Sequence, residues 1–225
     1  MFYSPGMILL IPAIILAMYA QTKVRSTFNK YLNIQNARGY TGAQVARMIL
    51  DRNGMPHVPV EHIGGHLSDH YDPRRKVLRL SSKVYNESSI ASISVAAHEA
   101  GHAIQDDVGY IPLTLRNMIA PIASFGSQAV WLLVFAGFIL GIGSLIDIGI
   151  VFYLAAVIFQ VITLPVEFNA SSRAIEQLQM NGVITSNEIS SSKKVLNAAA
   201  LTYVAAMAVS IAQLLRLMLL RNRRH

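Results

Sequence analysis

Apolar residues in this chain are gathered into blocks, with polar stretches between them. Residues 7–20 form an uncharged apolar run. A second covers 118–142 and holds only Gln128 as a strongly polar side chain. A third covers 145–166, with Asp147 near its start and Gln160 further on, and a fourth covers 195–220, broken mainly by Asn197, Gln213 and Arg216. The last three are long enough to cross a bilayer as helices, while the first is on the short side. Gly141-Ile142-Gly143-Ser144 between the second and third suits a tight hairpin.

The polar part, 21–116, carries other periods. Thr41 caps a short amphipathic helix with apolar Val45, Met48 and Ile49, closed by Gly54. Residues 58–63 and 76–81 read as strands separated by Gly64-Gly65 and an Asp72-Pro73 turn. The second puts Lys76, Leu78 and Leu80 on one side and Val77, Arg79 and Ser81 on the other. A strand of that kind is either a platform on which an extended peptide adds by main-chain hydrogen bonds or an ordinary internal strand. Residues 88–105 read as a helix with Ile90, Ile93, Ala97 and Ile104 at helical spacing, capped by Asn86 or Ser88 and closed by Gly109. Beyond Arg173 a short amphipathic helix (Ala174, Ile175, Leu178) ends at Asn181-Gly182, and another starts at Thr185 or Ser186 and runs through Lys193 and Lys194.

Five parts result: an N-terminal anchor 1–20, a catalytic region 21–116, a membrane hairpin 117–166, a helix and linker 167–194, and a C-terminal membrane helix with a basic tail, 195–225. The expected fold is a mainly α integral membrane protein. It has three to four transmembrane helices and a small α+β, zincin-like cytoplasmic domain with a short sheet.

Composition agrees: 53% of residues are hydrophobic and only 14% charged, unusual for a soluble chain of this size. The net charge of +7 does not indicate nucleic acid, because no basic stretch is interleaved with aromatics. The charges flank the apolar blocks instead. Lys23, Arg25 and Lys30 follow the first block, and no Lys or Arg lies between Arg116 and Arg173. The positive-inside rule therefore puts the hairpin tip outside and the polar region in the cytoplasm. Arg221, Arg223 and Arg224 conflict with that rule if the last block is a fourth span. A helix lying at the interface or a re-entrant hairpin would keep them inside; length favours the span. With no cysteine in the chain, any metal must be held by His and carboxylate.

The helix over 88–105 contains His98-Glu99-Ala100-Gly101-His102. Four residues apart, the two imidazoles lie on one helix face and can reach one metal ion, and Glu99 is placed to take a proton from a water that the metal activates. A catalytic zinc site needs a third protein ligand. The hairpin returns the chain to the same side, where Glu167 is the sole carboxylate between Asp147 and Glu176, so topology selects Glu167. His62, His66 and His70 also recur every fourth residue, but Gly64-Gly65 and Asp72-Pro73 argue against a helix there. His70 and Tyr71 are kept as candidates for steadying an oxyanion.

Three motifs together, His-Glu-Ala-Gly-His-Ala-Ile-Gln at 98–105, Leu-Ser-Asp-His-Tyr-Asp-Pro at 67–73 and Glu-Phe-Asn-Ala-Ser at 167–171, resemble the YugP-like neutral zinc metallopeptidase family of bacterial membranes. More distantly, the order of metal helix, membrane hairpin and Glu-bearing helix is similar to the HtpX- and Ste24-type membrane proteases. The resemblance covers nearly the whole chain. It implies one Zn²⁺ per chain held in gluzincin-like fashion by His98, His102 and Glu167, with Glu99 as general base. Those families usually carry an Asp four residues after the third-ligand Glu, where it orients a ligand His. Here that position is Ser171, whose hydroxyl is a weaker acceptor.

The expected activity is that of a multi-pass membrane zinc endopeptidase of the bacterial cell membrane, with its site on the cytoplasmic face. It would act on protein or peptide substrates, membrane proteins among them, and bind no nucleic acid. Besides the lipid bilayer, its expected partners are a second copy of the chain, as a homo-oligomer, or an accessory membrane protein. The rival reading is a non-hydrolytic metal-binding membrane protein, either an inactive protease-like chaperone or a transporter. Spans nearly empty of ionisable residues count against transport.

Overall fold

The computed structural model describes residues 5–222. Residues 1–4 of the expected anchor and Arg223, Arg224 and His225 of the expected basic tail lie outside the described residues. In order the elements are α1 (Pro5–Leu32), α2 (Gly42–Arg52), β1 (Val60–Ile63), β2 (His70–Asp72), β3 (Val77–Ser81), α3 (Ser82–Asn86), α4 (Ile90–Asp107), α5 (Ile111–Leu140), α6 (Gly143–Met180) and α7 (Ser186–Asn222). They divide into two compact units. One takes 5–21, 111–165 and 202–222 of the described residues; the other takes 22–110 and 166–201.

The first unit is membrane-spanning. Four helices, α1, α5, α6 and α7, are long and apolar enough to cross a bilayer. Of these, α6 has 38 residues and α7 has 37. At 1.5 Å per residue each is roughly 55 Å long, well beyond the ~30 Å hydrocarbon core, so each has a span and an extension. Inside this unit Val130, Val134, Ile146, Tyr153, Val157 and Leu217 pack from α5, α6 and α7. Leu10 and Ala13 of α1 meet Ala212 of α7. A Cβ at Gly126 would lie 2.4 Å from the Phe152 carbonyl oxygen, so α5 and α6 touch there backbone to backbone. Trp131, Leu132, Phe135, Ile139 and Val151 are exposed, as residues facing acyl chains are. Gly141 turns the hairpin at φ +71°. Asp147 pairs with Arg221 at 2.8 Å, so the start of α6 and the end of α7 are neighbours.

Where the sequence suggests breaks near 173 and 195, the helices continue. The only proline of α6 is Pro165, at the end of the apolar block, and its missing N–H and ring do not end the helix. Polar residues beyond it belong to a helix that has left the apolar region, and no loop intervenes. By the same logic Lys193 and Lys194 lie within α7. One uninterrupted helix over Ser186–Asn222 replaces the re-entrant alternative, and α7 is a fourth span. Past Ala20, α1 also continues to Leu32, because Phe28 and Tyr31, three residues apart, are buried there.

The second unit is α+β. Its sheet has the order β1-β3-β2, with β1 parallel and β2 antiparallel to β3. Of the two readings of this strand the internal one holds and the peptide platform does not: β3 is the central strand, buried on both faces, and its two edges are taken by β1 and β2. The alternation across 76–81 reported sidedness, and sidedness does not distinguish a central strand from an edge. The core joins Val45, Ile49 and Leu50 of α2, Leu78 and Leu80 of β3, Ile93, Ala97 and Ala100 of α4, and Ala174 and Leu178 of α6. Thr41 and Gln44 make a reciprocal capping box on α2. Ser89 caps α4 by accepting from the Ser92 N–H at 3.0 Å, one residue beyond the expected cap, because the Ser88 carbonyl accepts from Asn36.

Candidate metal centre

Helix α4 is nearly all buried, so its small residues Ala96, Ala97, Ala100, Gly101 and Ala103 are what lets neighbouring elements approach it. Gly101 is the tightest point. A Cβ there would lie 2.7 Å from the Ala170 carbonyl oxygen of α6, and a backbone atom cannot move aside cheaply. That approach brings one turn of α6 against the face of α4 that carries both histidines.

The consequence is a cluster. Ligand atoms of His98, His102 and Glu167 all lie within 4.8 Å of one another. The Nε2 atoms of His98 and His102 are 3.2 and 3.6 Å from Glu167 Oε2. The imidazole rings stand edge-to-face, with centroids 4.8 Å apart. His98 and His102 are 9% exposed and Glu167 only 3%. Each imidazole uses Nδ1 elsewhere, His98 on Ser171 Oγ at 3.2 Å and His102 on Gln105 Oε1 at 3.0 Å. Both Nε2 atoms therefore converge on the same carboxylate oxygen.

This arrangement fits a zinc ion. Two imidazole nitrogens and a carboxylate oxygen match the nitrogen and oxygen donors zinc accepts, and three protein ligands leave one position open. A carboxylate buried to this degree is costly without a cation among its neighbours.

Glu99, next to the first ligand, is also buried. Its Oε2 accepts from the Tyr71 backbone N–H of β2 at 3.1 Å. Burial pushes its carboxyl up to about 7; the charges of Glu167 and Asp69 add to this, while His98 and the Tyr71 N–H oppose it. A buried carboxyl whose proton affinity is raised in this way is suited to accept and return a proton. Asp69 is itself held up by burial, against hydrogen bonds from the Ser81 N–H and Oγ–H at 2.6 and 3.0 Å.

The other candidates fall differently. Ser171 touches His98. Tyr71 reaches the cluster through its main chain, while its hydroxyl donates to Asp106 Oδ2 at 2.8 Å. Burial and that carboxylate hold the phenol protonated well above its ordinary range. His70 is exposed, with Nδ1 on the Ser68 carbonyl at 2.8 Å and Nε2 facing Arg79 at 3.5 Å. His62 bonds Ser82 and His66 lies against the Phe28 ring, so the His62, His66, His70 series forms no cluster. Sequence reasoning passed over Gln105, Asn169 and the role of Gly101. Gln105 lies three residues after His102 and seven after His98, on the same helix face, and that spacing was the available signal.

The profile of the family described as "Putative neutral zinc metallopeptidase" matches residues 6–222. A protein of Bacillus subtilis (strain 168) described as "Putative membrane protease YugP" is 51% identical over 212 residues, covering 94% of each chain. No solved structure matches. A match running from the first span to the last, over a buried His/His/Glu cluster beside an HExxH glutamate, leads to one conclusion: this chain belongs to the neutral zinc metallopeptidase family, as a multi-pass membrane enzyme.

Proposed function

We propose that the protein is a membrane endopeptidase in which His98, His102 and Glu167 hold one Zn²⁺ and Glu99 is the general base. The observation that carries this reading is the convergence of three buried ligand atoms within 4.8 Å, beside a second buried carboxyl, that of Glu99. Zinc held there supplies Lewis acidity, which polarises a peptide carbonyl and acidifies water. Glu99 takes the proton of the attacking water and returns it to the leaving amine nitrogen. The Tyr71 N–H holds the carboxylate of Glu99 in place between these two transfers. Ser171 accepts from His98 Nδ1–H in the position where related families use a carboxylate.

Substrates are proteins or peptides at or in the bilayer. Glu167 follows the third apolar block directly, so a ligand sits at the end of a membrane span. The site faces the cytoplasm of a bacterial cell: Lys23, Arg25, Lys30, Arg116 and Arg173 flank the spans on that side, and the hairpin tip carries no Lys or Arg.

The test uses full-length protein in detergent, assayed for zinc content and for cleavage of casein. Glu99→Gln should keep zinc and lose cleavage by at least about 100-fold, the scale of a lost general base. Glu167→Ala should lose zinc. Cleavage unchanged in Glu99→Gln removes Glu99 as the base; full zinc occupancy in Glu167→Ala removes Glu167 as the third ligand.

A further inference from the structure

Gln105 is completely buried, is not a ligand, and uses both ends of its amide. Its Nε2 donates to the Val166 carbonyl at 2.8 Å and to Asn169 Oδ1 at 2.9 Å, while its Oε1 lies 3.0 Å from His102 Nδ1. Asn169 Oδ1 also accepts from Arg173 Nε at 2.8 Å. We propose that Gln105, with its amide locked by Asn169 and Arg173, is the positioning residue that accepts from His102 Nδ1–H and so keeps Nε2 as the ring atom turned toward Glu167, where a metal would bind.

The polarity of each link follows from the one before it. A guanidinium only donates, so the Asn169 atom facing Arg173 is its oxygen. That oxygen is an acceptor toward Gln105 as well, so the Gln105 group facing it is the NH₂. The Val166 carbonyl, which can only accept, demands the same orientation. The oxygen of Gln105 is left to face His102, where it can only accept, and Nδ1 of the neutral ring must carry the proton. A chain of hydrogen bonds starting at a side chain that is charged at all accessible pH thus settles a tautomer that the ring alone would not. The Val166 contact also fixes the register of α6 one residue before Glu167. One amide therefore aims a ligand on each helix.

The inference rests on reading His102 as a zinc ligand, but its first readout does not need the metal. In metal-free, ¹⁵N-histidine-labelled full-length protein, the His102 resonances, assigned by their loss in His102→Ala, should show a proton on Nδ1. Gln105→Met should shift them to a mixture or to Nε2–H, and zinc retention against a chelator should fall about 10- to 100-fold, as for other groups that orient a ligand. Arg173→Met alters only a half-buried side chain and should move both readouts in the same direction by less, which covers the case in which Gln105→Met does not fold. Asn169→Asp, able to accept from both neighbours, should keep the tautomer and the zinc, whereas Asn169→Leu should not. A purely structural role would not separate that pair. An unchanged His102 tautomer in folded Gln105→Met or Arg173→Met overturns the proposal. Zinc bound as tightly by His102→Ala as by the natural protein overturns the ligand reading instead, and the tautomer measurement still decides the role of Gln105.

Discussion

Glu99 is the residue whose chemistry is most altered by where it sits. In an unfolded chain its carboxyl would titrate near 4.5, and burial raises it to about 7 in the folded, metal-free protein. Between those values the folded state binds more protons than the unfolded one, so stability falls as pH rises through that window and levels off above it. Metal-free Glu99→Gln should lack this slope. By pH 8 it should be more stable than the natural protein by on the order of 3 kcal/mol, at ~1.4 kcal/mol per pKa unit. Denaturant midpoints at pH 5 and pH 8 check this; an equal pH dependence in both proteins would show that Glu99 ionises as freely as in water. Zinc adds positive charge beside Glu99 and pulls its titration down. The acidic limb of the kcat/KM profile should therefore fall below pH 7 in the zinc-loaded enzyme.

At the level of elements, catalytic geometry depends on how closely α4 and α6 approach. Gly101→Ala would put a methyl 2.7 Å from the Ala170 carbonyl oxygen. The helices must then separate, at a cost of about 1–3 kcal/mol as in other overpacked contacts. Glu167 moves with α6, so zinc affinity should drop even though no ligand has changed. Isothermal titration with zinc beside a thermal melt distinguishes the two effects. Unaltered affinity in a destabilised Gly101→Ala would mean that the ligands do not depend on this approach. In β2 the main chain does chemical work: the Tyr71 N–H reaches Glu99 while the Tyr71 hydroxyl is committed to Asp106. Tyr71→Phe should accordingly leave cleavage within about threefold of the natural protein. A loss of 100-fold would restore the phenol as an oxyanion donor.

On the scale of the whole molecule, the orientation proposed above is testable by labelling single positions. Because the chain has no cysteine, single substitutions report sidedness without background. In intact cells, Ser144→Cys and Asn222→Cys should react with a membrane-impermeant maleimide, while Asn53→Cys should react only after lysis. The reverse pattern would place the site outside. The pairing of Arg221 with Asp147 bears on the charge conflict at the C-terminal end. That arginine faces a carboxylate at the start of α6, so its presence there is compatible with α7 crossing.

Much of this was legible along the chain because it depends on local spacing. Four apolar blocks are a composition signal over roughly 15 to 25 residues each, and His98, Glu99 and His102 lie on successive turns of one helix. Glu167 was accessible too, since a hairpin must return and only one carboxylate waits at its end. Tertiary structure alone decided what depends on neighbours distant in sequence. It made β3 the central strand, because strand order depends on pairing across turns that periodicity does not register. It let α6 and α7 run unbroken past their charged residues, because a polar stretch can remain helical when it packs against another element. It committed the Tyr71 hydroxyl to Asp106. It also made Gln105 a link between the helices that carry His102 and Glu167: an amide in a helix shows its spacing in sequence, but the direction of its hydrogen bonds is set by Val166, Asn169 and Arg173, which only folding brings to it.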